Sequence, residues 1–305
     1  MSAAFRPISA RTGLCGILLY PASHTRSPAM HNAAYAALGF DAVYLAFNVP
    51  PARLADAMRG ARALDVRQLA ISLPHKQAAM AHVDELEEIA RRIGAVNTVT
   101  RVGEKLVGSN TDWLGAVRAL ESELRLEGAR AVVLGAGGTA RAVVFGLLER
   151  GARVHVLNRS AERARRLADE LGAQAAGSLG DLASTPHDVL VNTTSVGLRE
   201  DVSPVDAAAL RAGSIVMDAV YEPLRTRLLR DAEARGARTV SGRWMLIHQA
   251  AEQVRLLTGQ EAPLAALIEG FDSLAESGEL ERASSNGLAG EARAQRATGK
   301  RSSSN

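Results

Sequence analysis

A strand, a glycine-rich turn and a helix follow one another directly near the middle of this chain. The apolar run Ala131–Leu134 leads into Gly135-Ala-Gly-Gly-Thr-Ala140, after which a helical pattern extends to Arg150. In such a turn the first glycine permits a tight bend, the second admits the pyrophosphate of a dinucleotide, and the small last residue allows close packing of the helix on the sheet. The helix N-terminus offers unpaired N–H groups to the phosphates. The pattern therefore predicts a Rossmann-type cofactor domain with cofactor contacts from Gly135, Ala136, Gly137, Gly138, Thr139 and Ala140.

The second strand of this unit indicates which dinucleotide binds. Val154–Leu157 is followed by Asn158-Arg159-Ser160, and Arg163 lies one turn into the next helix. NAD enzymes usually carry an acidic residue at this strand end to bond the ribose 2′-hydroxyl, and none is present here. Two guanidinium groups instead suit a 2′-phosphate. We therefore predict NADP as the cofactor, bound at this end by Asn158, Arg159, Ser160 and Arg163.

Short apolar runs alternate with helical patterns along most of the chain, which favours an α/β fold with mostly parallel sheets. The 305 residues are enough for two domains. We predict an N-terminal substrate-binding and catalytic domain over residues 1–112, completed by C-terminal helices at 246–281, and a Rossmann NADP-binding domain over 113–245. The predicted strands are Gly13–Leu19, Ala42–Asn48, Gln68–Ser72, the hairpin Val96–Arg101 and Leu106–Gly108, Ala131–Leu134, Val154–Leu157, Val189–Asn192 and Ile215–Asp218. The predicted helices are Pro28–Leu38, Ala52–Ala63, Asp112–Leu124, Thr139–Arg150, Ala161–Leu171, Thr226–Ala234, Met245–Leu257 and Pro263–Ser277.

Composition excludes several other classes of protein. No apolar run reaches the ~18–20 residues of a membrane helix, and Met1–Ala22 lacks a cleavage site, so we interpret it as leading into a first strand. The single cysteine, Cys15, indicates a reducing compartment, and we expect a cytoplasmic protein. Residues 281–305 carry five basic and two acidic side chains, so their net charge is +3, the same as that of the whole chain. The body is then neutral, which argues against nucleic-acid binding, and 282–305 is predicted to be a disordered tail.

One lysine is unusual in a chain that otherwise prefers arginine. Only three of the 36 basic residues are lysines: Lys76, Lys105 and Lys300. Lys76 follows the predicted strand end at Ser72, where α/β proteins place their ligands. A compact ammonium with three rotatable donors suits proton transfer. An ordinary surface lysine is the alternative.

Asp112 is the natural partner of Lys76, because it lies at the junction of the two predicted domains. A carboxylate there would orient a proton-transferring amine beside a carbonyl that becomes an alcohol. The alternative is that Asp112 only caps the helix that follows.

Neutral polar residues suggest a site for a small polyhydroxylated acid. Ser27 is expected to be the N-cap of a helix with Pro28 in its first position, and Thr25 and Ser27 would face a carboxylate at that helix N-terminus. Further donors are Ser72, Asn97, Tyr221 and Gln249. The seven histidines show no metal-ligand spacing, so no metal is predicted, and His75 is expected to be structural.

Taken together, these motifs resemble the shikimate dehydrogenase family over roughly Gly13 to Gly259. The segments that carry the resemblance are Thr25–Pro28, Ser72–Lys76, Gly94–Thr98, Asn110–Asp112, Gly135–Ala140, Asn158–Arg163 and Met245–Gln249. The resemblance implies that NADPH reduces 3-dehydroshikimate to shikimate on the chorismate route to aromatic amino acids. It also implies that Lys76 and Asp112 are catalytic. The implied substrate contacts are Thr25, Ser27, Ser72, Asn97, Tyr221 and Gln249, and Thr193 and Met245 join the cofactor contacts.

Two alternatives stay open at this point. Thr25, Ser72 and Trp244 depart from the commonest family pattern, and one methyl group discriminates substrates by only ~1–3 kcal/mol. A quinate or dual quinate/shikimate dehydrogenase is therefore the nearest enzymatic alternative. An NADP-binding sensor module without turnover is the alternative from another class. The expected partners are a small-molecule substrate and at most a second copy of the chain, as a monomer or homodimer.

Overall fold

The computed structural model describes residues 7–22 and 25–273. Residues 282–305, predicted as a tail, and the end of the predicted helix Pro263–Ser277 lie outside the described residues. Within the described part the chain forms two six-stranded sheets, one from the first 109 residues and one from residues 130–241. The predicted α/β class, with two domains and mostly parallel sheets, is confirmed.

The first sheet is mixed and has the strand order β2-β1-β3-β5-β6-β4. β1 runs parallel to β2 and β3, whereas β5 runs antiparallel to β3 and forms an antiparallel hairpin with β6. β1 and β3 are central and almost continuously apolar, as expected of strands that are covered on both faces. The strands are β1 Gly13–Leu19, β2 Ala42–Asn48, β3 Gln68–Ile71, β4 Glu85–Leu86, β5 Thr98–Val102 and β6 Lys105–Ser109.

The second sheet is entirely parallel, with the order β12-β11-β10-β7-β8-β9. The chain order reverses between β7 and β10, and at such a switch point a crevice opens beyond the strand ends. The glycine-rich turn leaves β7 at this crevice. The strands are β7 Arg130–Leu134, β8 Arg153–Leu157, β9 Ala175–Gly177, β10 Val189–Asn192, β11 Ile215–Asp218 and β12 Arg238–Ser241.

Two helices connect the sheets. α4 leads from the first sheet to the second, and α8 returns from β12 to pack against α4 and α1. A last helix, α9 at 264–273, follows α8. The remaining helices cover the two sheets. The helices are α1 Ser27–Leu38, α2 Leu54–Ala63, α3 Glu88–Ile93, α4 Asp112–Glu121, α5 Gly138–Glu149, α6 Ala161–Leu171, α7 Arg227–Ala234 and α8 Gly242–Thr258.

A small apolar cluster joins the two domains beside the glycine-rich turn. Ile93 and Ala95 of the first domain pack against Ala142 and Phe145 of α5, and all four are buried. Trp113 completes the cluster with its ring edge-on to Phe145 at a centroid distance of 5.6 Å. This cluster holds the start of α5 against the first domain, so the turn after β7 faces the substrate half of the molecule.

Several sequence predictions need correction. Ser27 is not an N-cap: Arg26 occupies that position with helix-like φ and ψ of −95° and −4°, so α1 begins one residue earlier than predicted. The Thr25 hydroxyl instead accepts from the Ser27 backbone N–H at 3.3 Å. Helix α4 ends at Glu121 rather than near Leu124. Four of the strands and α-helices were not predicted: β4, α3, β9 and β12.

Candidate active site

Lys76 and Asp112 meet in the cleft between the two domains. Lys76 follows the loop that leaves β3, and Asp112 is the first residue of α4. Lys76 Nζ lies 2.5 Å from Asp112 Oδ2, and the two side chains are only 12% and 7% exposed. Thr111 occupies the N-cap position and Asp112 is already within the helix, so the alternative that Asp112 only caps α4 is wrong. Its carboxylate faces the cleft, where the positive end of the α4 dipole stabilises it.

Asn97 fixes the other face of this carboxylate. Asn97 Nδ2 donates to Asp112 Oδ1 at 2.8 Å, and the Thr111 backbone N–H donates to Asn97 Oδ1 at 2.7 Å. Gln249, on α8, accepts a longer bond from Asn97 Nδ2 at 3.3 Å. Because both carboxylate oxygens have charged or buried amide partners, Asp112 is held in one orientation.

Thr139 links the lysine to the cofactor turn. The ammonium of Lys76 donates to Thr139 Oγ1 at 3.1 Å, across the boundary between the domains. The neighbouring glycine makes this approach possible, since a Cβ on Gly138 would lie 2.9 Å from Lys76 Cβ. Thr139 was predicted as a cofactor contact, whereas its bond to Lys76 has no local sequence signal.

The cleft is lined by residues of both domains. Its walls are largely apolar and carry a small number of polar groups, as is usual for small-molecule sites. The predicted site residues that line it are Ser27, Ser72, Lys76, Asn97, Asp112, Thr139, Thr193, Tyr221, Met245 and Gln249. Thr194, Ser195 and Leu198 also line it and were not predicted.

Thr25 and Tyr221 stand together at one end of the cleft. Thr25 does not line the cleft itself, but its hydroxyl lies near enough to the Tyr221 hydroxyl to influence its ionisation. Burial raises the pKa of Tyr221 to about 12, although Thr25 opposes the shift. Tyr221 is thus a neutral donor at any physiological pH, suited to an oxygen anion of a ligand.

The turn after β7 has the geometry required for a bound pyrophosphate. Gly135 has φ = +116°, and a Cβ there would lie 2.6 Å from Thr193 Oγ1. Gly137 is the N-cap residue of α5, and a Cβ there would meet no atom within 4 Å, which leaves open space at the helix N-terminus. Ala140 is fully buried against the sheet. These residues fit a dinucleotide.

The end of β8 lies farther along the same crevice and fits a 2′-phosphate. Asn158 Nδ2 donates to the Ser160 carbonyl at 3.1 Å, and Ser160 caps α6. Arg159 and Arg163 are exposed, and within residues 7–22 and 25–273 neither side chain forms an ion pair. None of these residues lines the cleft that contains Lys76, and this end offers two unneutralised guanidinium groups.

Asp218 holds together two loops of the second domain that line the cleft. It is fully buried at the end of β11 and accepts hydrogen bonds from Asn192 Nδ2 at 2.9 Å, Thr226 Oγ1 at 2.7 Å and the Val220 backbone N–H at 3.0 Å. Burial raises the pKa of its carboxyl to about 6, and the three hydrogen bonds only partly offset this. Asp218 thus ties the Asn192–Thr194 loop to the segment that leads to Tyr221.

Other chemistry is not suggested by the residues described. In those residues no cluster of three His, Cys, Asp or Glu side chains could hold a metal ion. His75 is buried with Nε2 2.8 Å from the Val49 carbonyl oxygen, which is a structural contact. Among the helices of the described chain, none has both the length and the apolar character needed to cross a bilayer.

A buried amine–carboxylate pair that faces a dinucleotide-binding turn across a cleft is typical of two-domain, nicotinamide-dependent dehydrogenases. Comparison with known proteins narrows this class. Three family models match the chain: the shikimate dehydrogenase substrate binding domain at residues 17–99, shikimate / quinate 5-dehydrogenase at 117–201, and the shikimate 5'-dehydrogenase C-terminal domain at 242–269.

Individual relatives agree with these models. Shikimate dehydrogenase (NADP(+)) of Thermococcus kodakarensis is 46% identical over 256 residues, which cover 82% of this chain and 92% of the relative. The enzyme of the same name from Haloarcula marismortui is 47% identical over 253 residues, covering 82% and 94%. The crystal structure of shikimate 5-dehydrogenase from Thermus thermophilus in complex with NADP(H) and shikimate has a TM-score of 0.80 at 39% identity, covering 86% of this chain and 99% of that one. The chain belongs to the shikimate dehydrogenase family, as the sequence motifs predicted.

Proposed function

We propose that this protein is an NADP-dependent shikimate dehydrogenase that interconverts 3-dehydroshikimate and shikimate. The observation that carries the proposal is the buried Lys76–Asp112 pair, 2.5 Å apart, facing the glycine-rich turn across the cleft. The names of the relatives, shikimate dehydrogenase (NADP(+)), support the same activity and cofactor.

The residues of this chain have distinct roles in the proposed reaction. When bound, NADPH supplies the hydride that reduces the carbonyl carbon. The ammonium of Lys76 gives a proton to the carbonyl oxygen as that oxygen becomes an alcohol, so hydride and proton together complete the reduction. Asp112 stabilises the ammonium and accepts a hydrogen bond from a substrate hydroxyl, and Asn97 keeps the carboxylate in register.

The neutral donors around the cleft account for the rest of the substrate. Thr25, Ser27 and Tyr221 bind the carboxylate at the end where the Tyr221 hydroxyl meets Thr25. Ser72, Asn97 and Gln249 bind ring hydroxyls nearer to Lys76. A group of uncharged donors around one anion gives orientation without a second buried cation, whose desolvation would be unfavourable.

The geometry of the second sheet supports the proposed set of cofactor-binding residues. Gly135–Ala140 cradle the pyrophosphate at the N-terminus of α5, and Asn158, Arg159, Ser160 and Arg163 hold the 2′-phosphate. Thr193 and Met245 contact the nicotinamide end of the cofactor, since both residues line the cleft. A cytoplasmic location and a monomer or homodimer complete the proposal.

One assay tests both substrate and cofactor. The absorbance of the reduced nicotinamide is followed with shikimate or quinate against NADP or NAD, and kcat/KM is compared over the four combinations. We expect the highest kcat/KM for shikimate with NADP. Higher kcat/KM for quinate would move the protein to the quinate dehydrogenases. Binding of NADP and shikimate without any turnover would identify it as a sensor module.

A further inference from the structure

Arg26 is a buried cation beside the substrate end of the cleft for which the proposed mechanism has no use. It lies between Thr25 and Ser27 but does not line the cleft, and it is only 8% exposed. Its Nη1 donates to the Phe271 carbonyl at 3.0 Å, and its Nη2 forms an ion pair with Glu222 Oε2 at 2.5 Å. A buried guanidinium with two directed partners is held in place rather than solvated.

Both partners of Arg26 support Tyr221. Glu222 is the next residue along the chain from Tyr221, in the segment that follows β11. Phe271 contacts the Tyr221 ring edge-on at a centroid distance of 6.2 Å. The Arg26 guanidinium lies 4.6 Å from the centre of the same Phe271 ring. Arg26 of the first domain therefore contacts both Glu222, which follows Tyr221 in the chain, and Phe271, which packs on the Tyr221 ring.

The two helices next to the Arg26–Phe271 contact, α1 and α9, are packed directly on each other. Phe271 is fully buried in α9. The adjacent Gly270 packs directly on α1, since a Cβ there would lie 2.6 Å from the Ala29 carbonyl oxygen. The start of α1, which carries Ser27, and the helix that carries Phe271 are thus fixed relative to each other, and Glu222 is the part of the second domain that Arg26 ties to them.

We propose that Arg26 is a positioning residue, whose ion pair with Glu222 joins the two domains at the substrate end and holds Tyr221 over the substrate carboxylate. This inference rests on the proposed function and deepens it. Tyr221 binds a group remote from the reacting carbon, so its contact is equally strong in ground state and transition state. Loss of such a contact raises KM and leaves kcat nearly unchanged.

A merely structural role for Arg26 gives a different result, so the test uses three variants and a matched control. Arg26→Met keeps the packing on Phe271 but removes the charge, Glu222→Gln removes the partner's charge, and the double variant removes both. Arg243→Met is the control, because Arg243 also lies over Phe271, at 5.5 Å, and pairs with Asp272 of the same helix at 2.6 Å, but has no contact with Glu222 among the bonds of the described residues.

Steady-state kinetics and thermal melts are measured for all variants against the unchanged protein. We expect Arg26→Met to raise KM for shikimate roughly tenfold, as loss of a partly buried ion pair does, with kcat and KM for NADP within about twofold. The double variant should show no more than the effect of Arg26→Met alone, because the two residues act as one pair. Arg243→Met should lower the melting temperature without raising KM for shikimate.

Two results would overturn the inference. One is an unchanged KM for shikimate in Arg26→Met and Glu222→Gln together with a lower melting temperature. The other is strict additivity of the two single changes in KM. Glu222 is 36% exposed, so Glu222→Gln keeps the test decisive if Arg26→Met does not fold. Turnover of shikimate by the unchanged protein is a separate measurement, and its absence would reject the proposed function rather than the role of Arg26.

Discussion

The two ends of the cofactor crevice differ in how far the protein has already neutralised its own charges. At the chemical end, Lys76 and Asp112 are buried and paired with each other, and Asn97 and Thr139 complete their hydrogen bonds. At the other end, Arg159 and Arg163 are exposed and have no ion-pair partner among the described residues. In the proposed function the first end is organised before any ligand binds, whereas the charges of the second end are neutralised only by the ligand. Catalysis needs fixed geometry, and cofactor selection needs unmatched charge.

Removal of the buried amine is the most severe test of this difference. We expect Lys76→Ala to lower kcat by about 10²–10⁴-fold, the usual contribution of a general acid, with a smaller change in KM. Lys105→Ala is the matched control, because Lys105 is an exposed lysine whose ion-pair partner among the described residues is Glu85. A kcat for Lys76→Ala close to that of Lys105→Ala would show that the buried pair has no part in the chemistry.

A second buried charge should be visible in stability rather than in rate. Because the pKa of Asp218 is raised to about 6 in the fold, its contribution to stability is fully present below the unfolded-state pKa of about 4 and is lost as the pH rises through about 6. The free energy of unfolding of the unchanged protein minus that of Asp218→Asn should therefore fall by about 3 kcal/mol between these pH values. Urea unfolding at several pH values measures it.

The difference in unfolding free energy between the unchanged protein and Asp218→Asn reports on Asp218 alone. Burial lowers the pKa of His31 to about 4, which gives a slope of the opposite sign over the same range, since the unfolded chain takes up the proton first. His31 is present in both proteins, so its effect cancels. A difference that is constant with pH would mean that Asp218 has the same pKa folded and unfolded.

At the exposed end, removal of one guanidinium should change cofactor choice without changing the chemistry. We expect Arg159→Ala to lower the ratio of kcat/KM for NADPH over NADH roughly ten- to hundredfold, as loss of a charge-assisted hydrogen bond does. Arg166→Ala is the control. Arg166 lies on α6, close to Arg159 in the chain, but already pairs with Glu162 at 3.5 Å. Equal use of both cofactors by the unchanged protein would contradict the predicted 2′-phosphate site.

The smallest expected effect is that of salt concentration on the kinetics of the unchanged protein. It compares the exposed arginines with the buried Lys76–Asp112 pair. Exposed charges are screened over a Debye length of about 10 Å at 0.1 M salt, and buried pairs much less. Raising the salt concentration from about 0.05 to 0.5 M should therefore increase KM for NADPH by a factor of about 2–5 and leave kcat at saturating cofactor unchanged. A parallel fall in kcat would indicate that the Lys76–Asp112 pair is less sheltered than its burial implies.

Local patterns were enough to predict most of the architecture. The turn at Gly135–Ala140 and the strands beside it are recognisable in the sequence, because each strand is a continuous apolar run and the turn is rich in glycine. β12 was missed since Arg238–Ser241 is short and only Val240 is buried. Ser27 was wrongly taken as the N-cap because Arg26, an unusual capping residue, already has helical dihedral angles.

Contacts between distant segments account for what the sequence does not reveal about the site. Lys76 stands out by its rarity and Asp112 by its position at a junction, so the pair was predicted from composition and order. The bond from Lys76 to Thr139 joins residues 63 positions apart, and that from Arg26 to Glu222 spans 196. No periodicity or motif connects such pairs. The proposed roles of all these residues stay predictions until the variants are measured.

The close contact between Gly138 and Lys76 limits how freely the halves of this enzyme can be recombined. A Cβ at position 138 would be 2.9 Å from Lys76 Cβ, so the second domain can pack this closely on the first only because residue 138 has no side chain. A chimera that takes its Rossmann unit from another dehydrogenase must bring glycine at this position. A side chain there would displace Lys76 from Asp112, and under the proposed function we expect such a hybrid to bind its coenzyme but to turn over slowly.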